Sequence, residues 1–380
     1  MKVAIVVPYF TPFVRGNEYG LAEGLSRLGV DVTILTSKGK APREKMVIKN
    51  ASVSQSQPFK VKYLPTLIDK GEIPITPTVF TEVLRGGYDA LLLQEDYQPV
   101  CHIAYMASRV KRIPTIVSTE RTYFPEGNKR KVLGLFDATF NKMVRKGSTA
   151  YTSHCSAARS FVEKELGVPP GRVKVVHVGI DTCLFKPTTG DSPLTEGKFK
   201  LLTVSRLHPY KGLEYLIRAM EIVKRSRKDI VLYIMGRGPS ESDLKALISD
   251  LNLHDVVKFV EKPVPNYEMP KVYSSADLYL QPSIIEPYGI AVLEAAACGK
   301  PAICSKVGGM TDTVEDGITG HLVDPGSPKQ LSEKILSMAA DPEKTRAMGA
   351  NARERAAGTF DWDVISRRYL SLIEEVARHA

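Results

Sequence analysis

Residues 3–37 read VAIVVPYFTPFVRGNEYGLAEGLSRLGVDVTILTS and contain a strand, a helix and a second strand in succession. VAIVVP (3–8) is a continuous apolar run rich in β-branched residues, a helical pattern follows to about Leu28, and DVTILTS (31–37) is again apolar. Continuous apolar strands joined by a helix indicate parallel pairing in a sheet that is covered on both faces. This stretch therefore predicts a βαβ unit.

The same alternation continues along the rest of the chain. A first series contains DALLLQ, PTIVST, TAYTS and VKVVHV, and a second contains KLLTVS, IVLYIMG, VVKFV, DLYLQPS, PAICS and GHLV. Between the two series, residues 185–200 read FKPTTGDSPLTEGKFK, a composition typical of a linker. The sequence thus predicts an α/β protein with two Rossmann-like, doubly wound parallel-sheet domains, 1–184 and 196–360.

Length and composition are those of an ordinary globular protein. The chain has 380 residues, 43% hydrophobic and 25% charged, and its longest apolar runs are of strand length, far below the ~20 residues of a membrane-spanning helix. The N-terminus lacks the layout of a signal peptide, and the five cysteines form no CxxC pair or zinc-site spacing. These features predict a reduced, cytoplasmic protein.

The formal net charge of +10 is compatible with nucleic acid, an anionic membrane or phosphorylated ligands as partners. The simplest interpretation of each basic cluster is a solvated helix face. Nucleic-acid binding ranks low, because the sequence has no basic motif interleaved with aromatic residues. The clusters lie in the first half of the chain: KGKAPREK (38–45), RVKR (109–112), NKRK (128–131) and NKMVRK (141–146).

Charged residues follow the strand KLLTV of the second series. Parallel sheets bind ligands beyond the carboxyl ends of their strands. There the segment SRLHPYKG places Arg206 and Lys211 just before a helix begins. Two cations and a helix start can hold an anion such as a diphosphate, although a basic surface loop is an equally good interpretation of this motif alone.

Two glutamates follow the strand DLYLQPS in the segment EPYGIAVLEAAACGKP (286–301). Glu286 precedes an apolar helix, Gly289 permits close backbone approach, and Glu294 lies within the helix. A carboxylate in such surroundings needs a partner. The vicinal hydroxyls of a ribose would satisfy it, and so would a nearby Lys or Arg. The loop KVGGMTD (306–312) is placed to cap the same pocket.

Two further glycine-containing loops follow strands. Gly16 and Asn17 precede the first helix, which predicts a turn and a helix N-terminus at the carboxyl edge of the first sheet. Gly236-Arg237-Gly238 contains half of a dinucleotide-binding fingerprint but lacks the third glycine, which excludes a nicotinamide site.

Together these motifs resemble the retaining GT-B glycosyltransferases of family 4. The resemblance covers nearly the whole chain, and it is most specific in the second half. It rests on SRLHPYKG, MGRGP, EPYGIAVLE, ACGKPAICSKVGG, EDGITGHLVDPG and FDW, with looser support from the Gly16 loop and HVGIDTCLFKP (177–187).

The resemblance implies a fold and an activity. Residues 1–184 would form the acceptor-side domain, 196–360 would bind the nucleotide sugar, and the two would face a cleft. The C-terminal helix, 361–380, would pack back on the first domain with Trp362 buried. A sugar would move from a nucleotide diphosphate to an acceptor hydroxyl with retention of anomeric configuration, and neither a metal nor a cofactor would be required.

Roles for individual residues follow from the same resemblance. Arg206 and Lys211 match the cations that hold the leaving diphosphate, and Glu286 matches the carboxylate near the transferred sugar. Glu294 matches the carboxylate that binds the donor ribose. The remaining donor-binding candidates are backbone or loop positions: Gly289, Ile290, Tyr288, Gly16, Asn17 and, near the nucleotide base, Val264.

The chain departs from the family pattern in its first half. Many members carry a histidine after the strand equivalent to PTIVST, where this chain has Ser118-Thr119-Glu120-Arg121. We expect Glu120 to contact the donor sugar or acceptor there, or Arg121 to anchor an anionic acceptor. The triplet Asp361-Trp362-Asp363 is expected to cap the final helix rather than to hold a metal.

The substrates are named only by class. The resemblance allows a hexose or N-acetylhexosamine carried by UDP or GDP, and a glycan, lipid-linked or small-molecule acceptor. Residues 128–146 predict one amphipathic basic helix, either packed on the first domain or lying on an anionic membrane. A nucleotide-sugar 2-epimerase and a transferase-like scaffold without activity are the remaining alternatives.

Overall fold

The computed structural model describes residues 1–12, 16–38, 57–68, 73–125 and 127–378. The predicted basic cluster at 38–45 lies outside the described residues except for Lys38. The chain forms two compact units, Met1–Gly179 with Trp362–Ala380, and Ile180–Asp361. None of the described helices has the length and apolarity that crossing a membrane requires.

The first unit is built on a seven-stranded sheet in which all neighbouring strands are parallel. The strand order is β3-β2-β1-β4-β5-β6-β7, so the direction of winding reverses between β1 and β4. The strands are β1 Lys2–Val6, β2 Asp31–Ser37, β3 Lys60–Leu64, β4 Ala90–Gln94, β5 Thr115–Thr119, β6 Ala150–Ser153 and β7 Val173–Val175.

The second unit has a six-stranded parallel sheet with the order β10-β9-β8-β11-β12-β13. This is the Rossmann order, and its winding reverses between β8 and β11. The strands are β8 Phe199–Val204, β9 Ile230–Met235, β10 Val257–Val260, β11 Leu278–Gln281, β12 Ala302–Ser305 and β13 Gly320–Val323. Two doubly wound parallel-sheet domains were predicted, and the structure confirms them.

Helices cover the two sheets. In the first unit they are α1 Asn17–Arg27, α2 Val79–Gly86, α3 Pro99–Lys111, α4 Asn128–Ala138, α5 Phe140–Gly147, α6 Ser156–Glu165 and α14 Trp362–Arg378. In the second they are α7 Leu213–Ser226, α8 Glu241–Asp250, α9 Met269–Ser275, α10 Ile290–Ala297, α11 Met310–Thr313, α12 Pro328–Ala340 and α13 Pro342–Thr359, with 3-10 turns at Pro209–Lys211 and Asn266–Glu268.

Strand burial explains why both sheets are parallel. Every residue of β4, β5 and β9 is buried, as both faces of these strands carry helices. Such strands read as continuous apolar runs, without the alternation of a half-exposed sheet. The core of the second unit consists mainly of the inward faces of α7 and α12 and the strands between them.

The C-terminal helix α14 packs on α1 of the first unit. Trp362 is buried, and its ring fills the space beside Gly20 and Gly179, where an added Cβ would approach ring atoms to 2.0 Å and 2.4 Å. Hence only glycine fits at these two positions. The burial of Trp362 within the first unit agrees with the expectation drawn from the family resemblance.

Two expectations about local structure are wrong. Residues 185–200 are part of the second unit rather than a free linker: Leu194 is buried, and the Glu196 amide donates a hydrogen bond to the Tyr233 hydroxyl (2.6 Å). The predicted single basic helix at 128–146 is two helices, α4 and α5, because the backbone leaves the helical region at Thr139 (φ −120°, ψ −99°).

Candidate active site

An ion pair lies at the point in the second unit where the winding reverses. Lys211 ends the 3-10 turn after β8, and Glu286 lies in the loop after the neighbouring strand β11. Lys211 Nζ is 2.6 Å from Glu286 Oε2, and the two side chains are only 12% and 9% exposed. The two predicted site residues are therefore in direct contact.

Arg206 lies five residues before Lys211 in the same loop and differs from it in one important respect. Its side chain is exposed, and the described residues offer it neither an acceptor within hydrogen-bond distance nor a carboxylate within ion-pair distance. Of the two predicted cations, Arg206 is thus the one whose charge no described residue compensates.

Glycines allow the loops at this edge to stack directly on each other. A Cβ on Gly308 would lie 1.6 Å from the Glu286 carbonyl oxygen, and one on Gly212 would lie 2.1 Å from the Pro282 carbonyl oxygen. The Gly309 amide also donates to the Pro287 carbonyl (3.0 Å). The glycines of SRLHPYKG and KVGG therefore fix the backbone that carries Glu286.

Helix α10 begins directly after this loop. Gly289 precedes it in the left-handed region (φ +90°, ψ 51°), a conformation that costs a glycine little. Tyr288 is buried against Gly309, whereas Ile290 is exposed in the first turn of α10. The first amides of a helix have no intrahelical acceptor, so this turn is suited to an anion.

Glu294 lies four residues further along α10 and is partly buried. Its Oε2 accepts a hydrogen bond from the Tyr273 hydroxyl of α9 (2.5 Å), and no Lys or Arg of the described residues pairs with it. Desolvation raises the pKa of Glu294 to about 7, and the Tyr273 hydrogen bond lowers it in part. The alternative in which a basic residue neutralises Glu294 is therefore not what the structure shows.

The segment expected near the nucleotide base follows β10. Lys262 and Pro263 are exposed, and Val264 is partly buried. The Arg237 side chain donates to the Glu261 carbonyl (3.0 Å), which ties the loop after β9 to the one after β10. Val264 lies in the second unit with Glu286 and Glu294.

In the first unit, Asn17 begins α1 directly after Gly16, which is in extended conformation. The side-chain amide nitrogen of Asn17 lies 3.4 Å from His154 Nε2, and that ring nitrogen lies 2.9 Å from Ser118 Oγ. Ser118 also contacts the Tyr369 hydroxyl of α14 (3.0 Å). Burial lowers the pKa of His154 to about 4, which favours the neutral ring as expected for a structural histidine.

Sequence reasoning missed Glu95, the residue that follows β4 where the first sheet reverses its winding. Its carboxylate accepts from Thr119 Oγ1 (2.6 Å) and from the Glu120 amide (2.8 Å). Burial, and secondarily the charge of Glu120, raises its pKa to about 8. The available signal was its position after the strand DALLLQ; its left-handed backbone (φ 75°) has no signature in the sequence.

Glu120 and Arg121 are placed differently by the structure. Glu120 is exposed at the carboxyl end of β5, beside Glu95. Arg121 is buried and donates to both carboxylate oxygens of Asp137 (2.9 and 2.7 Å). This internal pairing leaves Arg121 poorly suited to anchor an acceptor, because its charge is already compensated.

The described residues contain no group of three or more His, Cys, Asp or Glu side chains that could bind a metal ion. Within the triplet considered above, Asp361 accepts a hydrogen bond from Thr182, and Asp363 pairs with Arg27 (3.1 Å). These two carboxylates thus have partners within the protein.

Two sequence families match the chain and together cover most of it. The family described as Glycosyltransferase Family 4 matches residues 19–183, and Glycosyl transferases group 1 matches residues 187–355. A D-inositol 3-phosphate glycosyltransferase of Thermobispora bispora is 32% identical over 94% of this chain and 89% of its own length. A GDP-mannose-dependent alpha-(1-6)-phosphatidylinositol monomannoside mannosyltransferase of Mycolicibacterium smegmatis is 31% identical over 54% of this chain and 57% of its own.

The fold also matches solved structures. Anabaena Alr3699/HepE in complex with UDP aligns with a TM-score of 0.78 at 20% identity, over 99% of this chain and 100% of that one. TarM aligns with a TM-score of 0.71 at 12% identity, over 98% of both chains. On its sequence and its two Rossmann-like units, this chain is a GT-B enzyme that belongs to the group 1, family 4 glycosyltransferases.

Proposed function

We propose that the second unit binds a nucleotide-diphosphate sugar and that the enzyme transfers the sugar, a hexose or N-acetylhexosamine, to an acceptor hydroxyl with retention of configuration. The observation that carries this proposal is the Lys211–Glu286 pair at the reversal point of the sheet. In the same loop as Lys211 lies Arg206, whose side chain has no partner among the described residues. Open parallel sheets bind ligands at this point.

The two cations suit a diphosphate leaving group. Negative charge grows on the diphosphate as the bond to the sugar breaks, and fixed cations stabilise that charge more in the transition state than in the ground state. Arg206 can bind two phosphate oxygens at once, and Lys211 supplies a point charge. The first turn of α10, which follows Glu286 closely in the chain, would add free backbone amides, so no metal ion is needed in this proposal. The leaving diphosphate would itself assist deprotonation of the acceptor hydroxyl, on the same face.

The carboxylates suit the hydroxyl groups of the donor. Glu286, anchored through Oε2, would accept from a hydroxyl of the transferred sugar. Glu294 would accept from the ribose hydroxyls in exchange for, or in addition to, the Tyr273 hydroxyl. The backbone of Gly289 and Ile290 would contact phosphate and sugar, and residues 262–264 would contact the base.

The relatives support two candidate nucleotides. The Mycolicibacterium protein is named as GDP-mannose-dependent, and the Anabaena protein was solved with UDP. Backbone contacts around Val264 do not by themselves distinguish uracil from guanine. Both nucleotides therefore belong in any test.

The first unit would bind the acceptor. Glu120 is exposed at the carboxyl end of β5, where it would contact the acceptor or the donor sugar in place of the histidine of many relatives. Gly16 and Asn17, at the start of α1, would instead contact the donor, with Asn17 held by His154. A glycan, a lipid-linked acceptor and a small molecule all remain compatible with this arrangement.

A surface of α4 and α5 favours an acceptor at an anionic membrane. Leu135 and Phe140 are 67% and 49% exposed, and Met143 is exposed as well. Between 128 and 147 the one acidic residue is Asp137, which pairs internally with Arg121 and Arg145. Exposed apolar side chains among cations fit a negatively charged lipid surface. The enzyme would then work on the cytoplasmic side of a membrane, in line with five cysteines that form no disulfide bond.

Liposome binding tests the membrane contact. We expect Arg130→Glu, Lys131→Glu and Lys142→Glu together to reduce binding to vesicles that contain anionic lipid, because each charge near the surface contributes about 1 kcal/mol. The control is the same charge change on the second unit, at Arg225, Lys245 and Lys329, which should leave binding intact. If the parent protein fails to bind these vesicles, the membrane contact is excluded.

The proposed activity is tested with a panel of UDP- and GDP-sugars. The correct donor should raise the melting temperature, because a ligand that binds only the folded state stabilises it. With that donor and an acceptor, NMR of the product should show the anomeric configuration of the donor. An altered sugar nucleotide formed without any acceptor would instead support the 2-epimerase alternative, and an inverted product would refute retention.

A further inference from the structure

A polar ladder lies behind Glu286, on one side of β11 and its extension. Tyr279, Gln281 and Ser283 occupy alternate positions along the chain, and alternate residues of a strand point to the same side. Their exposed fractions are 0%, 2% and 0%. Polar groups buried this deeply need hydrogen-bond partners, and a satisfied network restricts side-chain orientation.

The hydrogen bonds run in one direction along this ladder. The Tyr279 hydroxyl donates to Gln281 Oε1 (2.7 Å), with the Val204 carbonyl as a second, longer acceptor (3.1 Å). This leaves the amide nitrogen of Gln281 facing the other way. That nitrogen donates to Ser283 Oγ (2.9 Å) and to Glu286 Oε2 (3.1 Å). The two N–H groups of the amide therefore have one acceptor each.

The ladder acts on a single oxygen of Glu286. Ser283 Oγ donates to Oε2 (3.1 Å), as do Gln281 and Lys211, so Oε2 receives three hydrogen bonds. The other oxygen, Oε1, receives none from the described residues. Rotation of the carboxylate about its terminal bond would break all three contacts at once. Glu286 is thus held with Oε1 as the oxygen available to a ligand.

We propose that Gln281, oriented by Tyr279, is a positioning residue that fixes the Glu286 carboxylate so that Oε1 meets a hydroxyl of the donor sugar. The inference rests on the proposed function. It assigns Gln281 a role in recognising the sugar and not in binding the nucleotide. Among the described residues the ladder has no hydrogen bond to Arg206 or Glu294, and it meets Lys211 only through the shared Oε2 of Glu286.

The test compares ligands with and without the sugar. Titration calorimetry would measure affinity for UDP against UDP-glucose, or for GDP against GDP-mannose, whichever pair binds the parent. Gln281→Leu keeps the size of the side chain and removes both donors. We expect it to weaken sugar-nucleotide binding about tenfold and to lower kcat about 100-fold, since small misplacements of reacting groups are that costly. Affinity for the nucleoside diphosphate should stay within twofold.

Two further variants keep the result interpretable. Tyr279→Phe preserves core packing but frees the Gln281 amide to turn. It should therefore lower affinity for the sugar nucleotide, relative to affinity for the nucleoside diphosphate, by a smaller factor of about threefold to tenfold. Gln330→Leu removes an equivalent amide on α12, where its partner is Asp324, and should change neither affinity nor kcat.

Three outcomes would overturn the assignment. Unchanged sugar-nucleotide affinity and kcat in folded Gln281→Leu would exclude a positioning role. An equal loss of affinity for both ligands, accompanied by a lower melting temperature, would show that Gln281 is merely structural. A parent protein that binds no member of either pair would refute the proposed function itself, and this inference with it.

Discussion

At the scale of single residues, the Lys211–Glu286 pair determines how the site can be tested. Both side chains are largely buried, and removing one partner of such a pair leaves the other charge uncompensated. We expect Lys211→Met to cost about 3 kcal/mol of stability and Lys211→Met with Glu286→Gln to recover part of that loss. Urea denaturation of the parent, the two single variants and the double variant measures the coupling free energy between Lys211 and Glu286.

Activity in the same cycle should behave differently from stability. All three variants should lose turnover by orders of magnitude, because the double variant restores neutrality without restoring the cation or the carboxylate. A double variant as stable as the parent yet inactive would separate the catalytic role from the structural one. Near-normal turnover in the single variants would refute the roles given to both residues.

Glu294 predicts a specific dependence of stability on pH. Its pKa is raised to about 7, so between pH 4.5 and 7 the folded protein binds more protons at this site than the unfolded chain does. The contribution of Glu294 therefore becomes less favourable as pH rises through this window. The free energy of unfolding of Glu294→Gln should exceed that of the parent by about 2 kcal/mol at pH 8 and should differ little from it at pH 4.5.

Free energies of unfolding measured at both pH values check this prediction. Glu333→Gln is the matched control, since Glu333 lies on the solvent-exposed side of α12. A difference between Glu294→Gln and the parent that does not change with pH would mean that folding does not raise the pKa of Glu294. The same variant should bind nucleoside diphosphates about tenfold more weakly if the carboxylate holds the ribose.

The sequence singled out several candidate site residues but not their contacts. Glu286 and Glu294 stand out because carboxylates are rare around an apolar helix, and Lys211 stands out beside a helix start. The contact between Lys211 and Glu286 joins residues 75 positions apart, and no local pattern encodes it. Glu95 escaped notice because its backbone conformation depends on the neighbouring strand, through Thr119 and the Glu120 amide.

At the scale of elements, the contact of α14 with α1 depends on a glycine. An added Cβ at Gly20 would approach the Trp362 ring to 2.0 Å, far inside van der Waals contact. We expect Gly20→Ala to destabilise the protein by about 1–3 kcal/mol, because a well-packed site cannot accept an extra methyl group. Chemical denaturation measures the change.

Gly134→Ala provides the control for this substitution. Gly134 is also helical, in α4, and no atom lies within 4 Å of an added Cβ. Alanine there should be neutral or stabilising by about 0.5–1 kcal/mol through helix propensity alone. Equal stability of Gly20→Ala and Gly134→Ala would contradict the packing given for Trp362.

Element types were more predictable than element ends. Most described strands follow the apolar runs of a parallel sheet, so they could be placed from sequence. The exception is β3, which reads KVKYL (60–64); it is polar and largely exposed at the edge of the first sheet, and it was not predicted. The break at Thr139 could not, since threonine is tolerated within helices and the segment keeps its apolar spacing across the break. Residues 185–200 read as a linker because they are polar, yet their backbone bonds to side chains of the second unit at Tyr233 and Ser274.

At the scale of the whole molecule, the two units carry different parts of the proposed function. The residues assigned to the donor nucleotide come mainly from Ile180–Asp361. We therefore expect UDP or GDP alone to slow amide hydrogen exchange in the loops 205–212, 283–290 and 306–310, with little change in the first unit. Protection that appears chiefly in the first unit would reverse the assignment of the two domains.

The central claim is that the cations at the carboxyl edge of the second sheet hold the donor diphosphate. Arg206 tests it most directly, because its exposed side chain has no partner among the described residues, so its loss should leave the melting temperature unchanged. Calorimetric titration with UDP and GDP should show at least about tenfold weaker binding to Arg206→Gln than to the parent. Equal affinity in the two proteins would contradict the account.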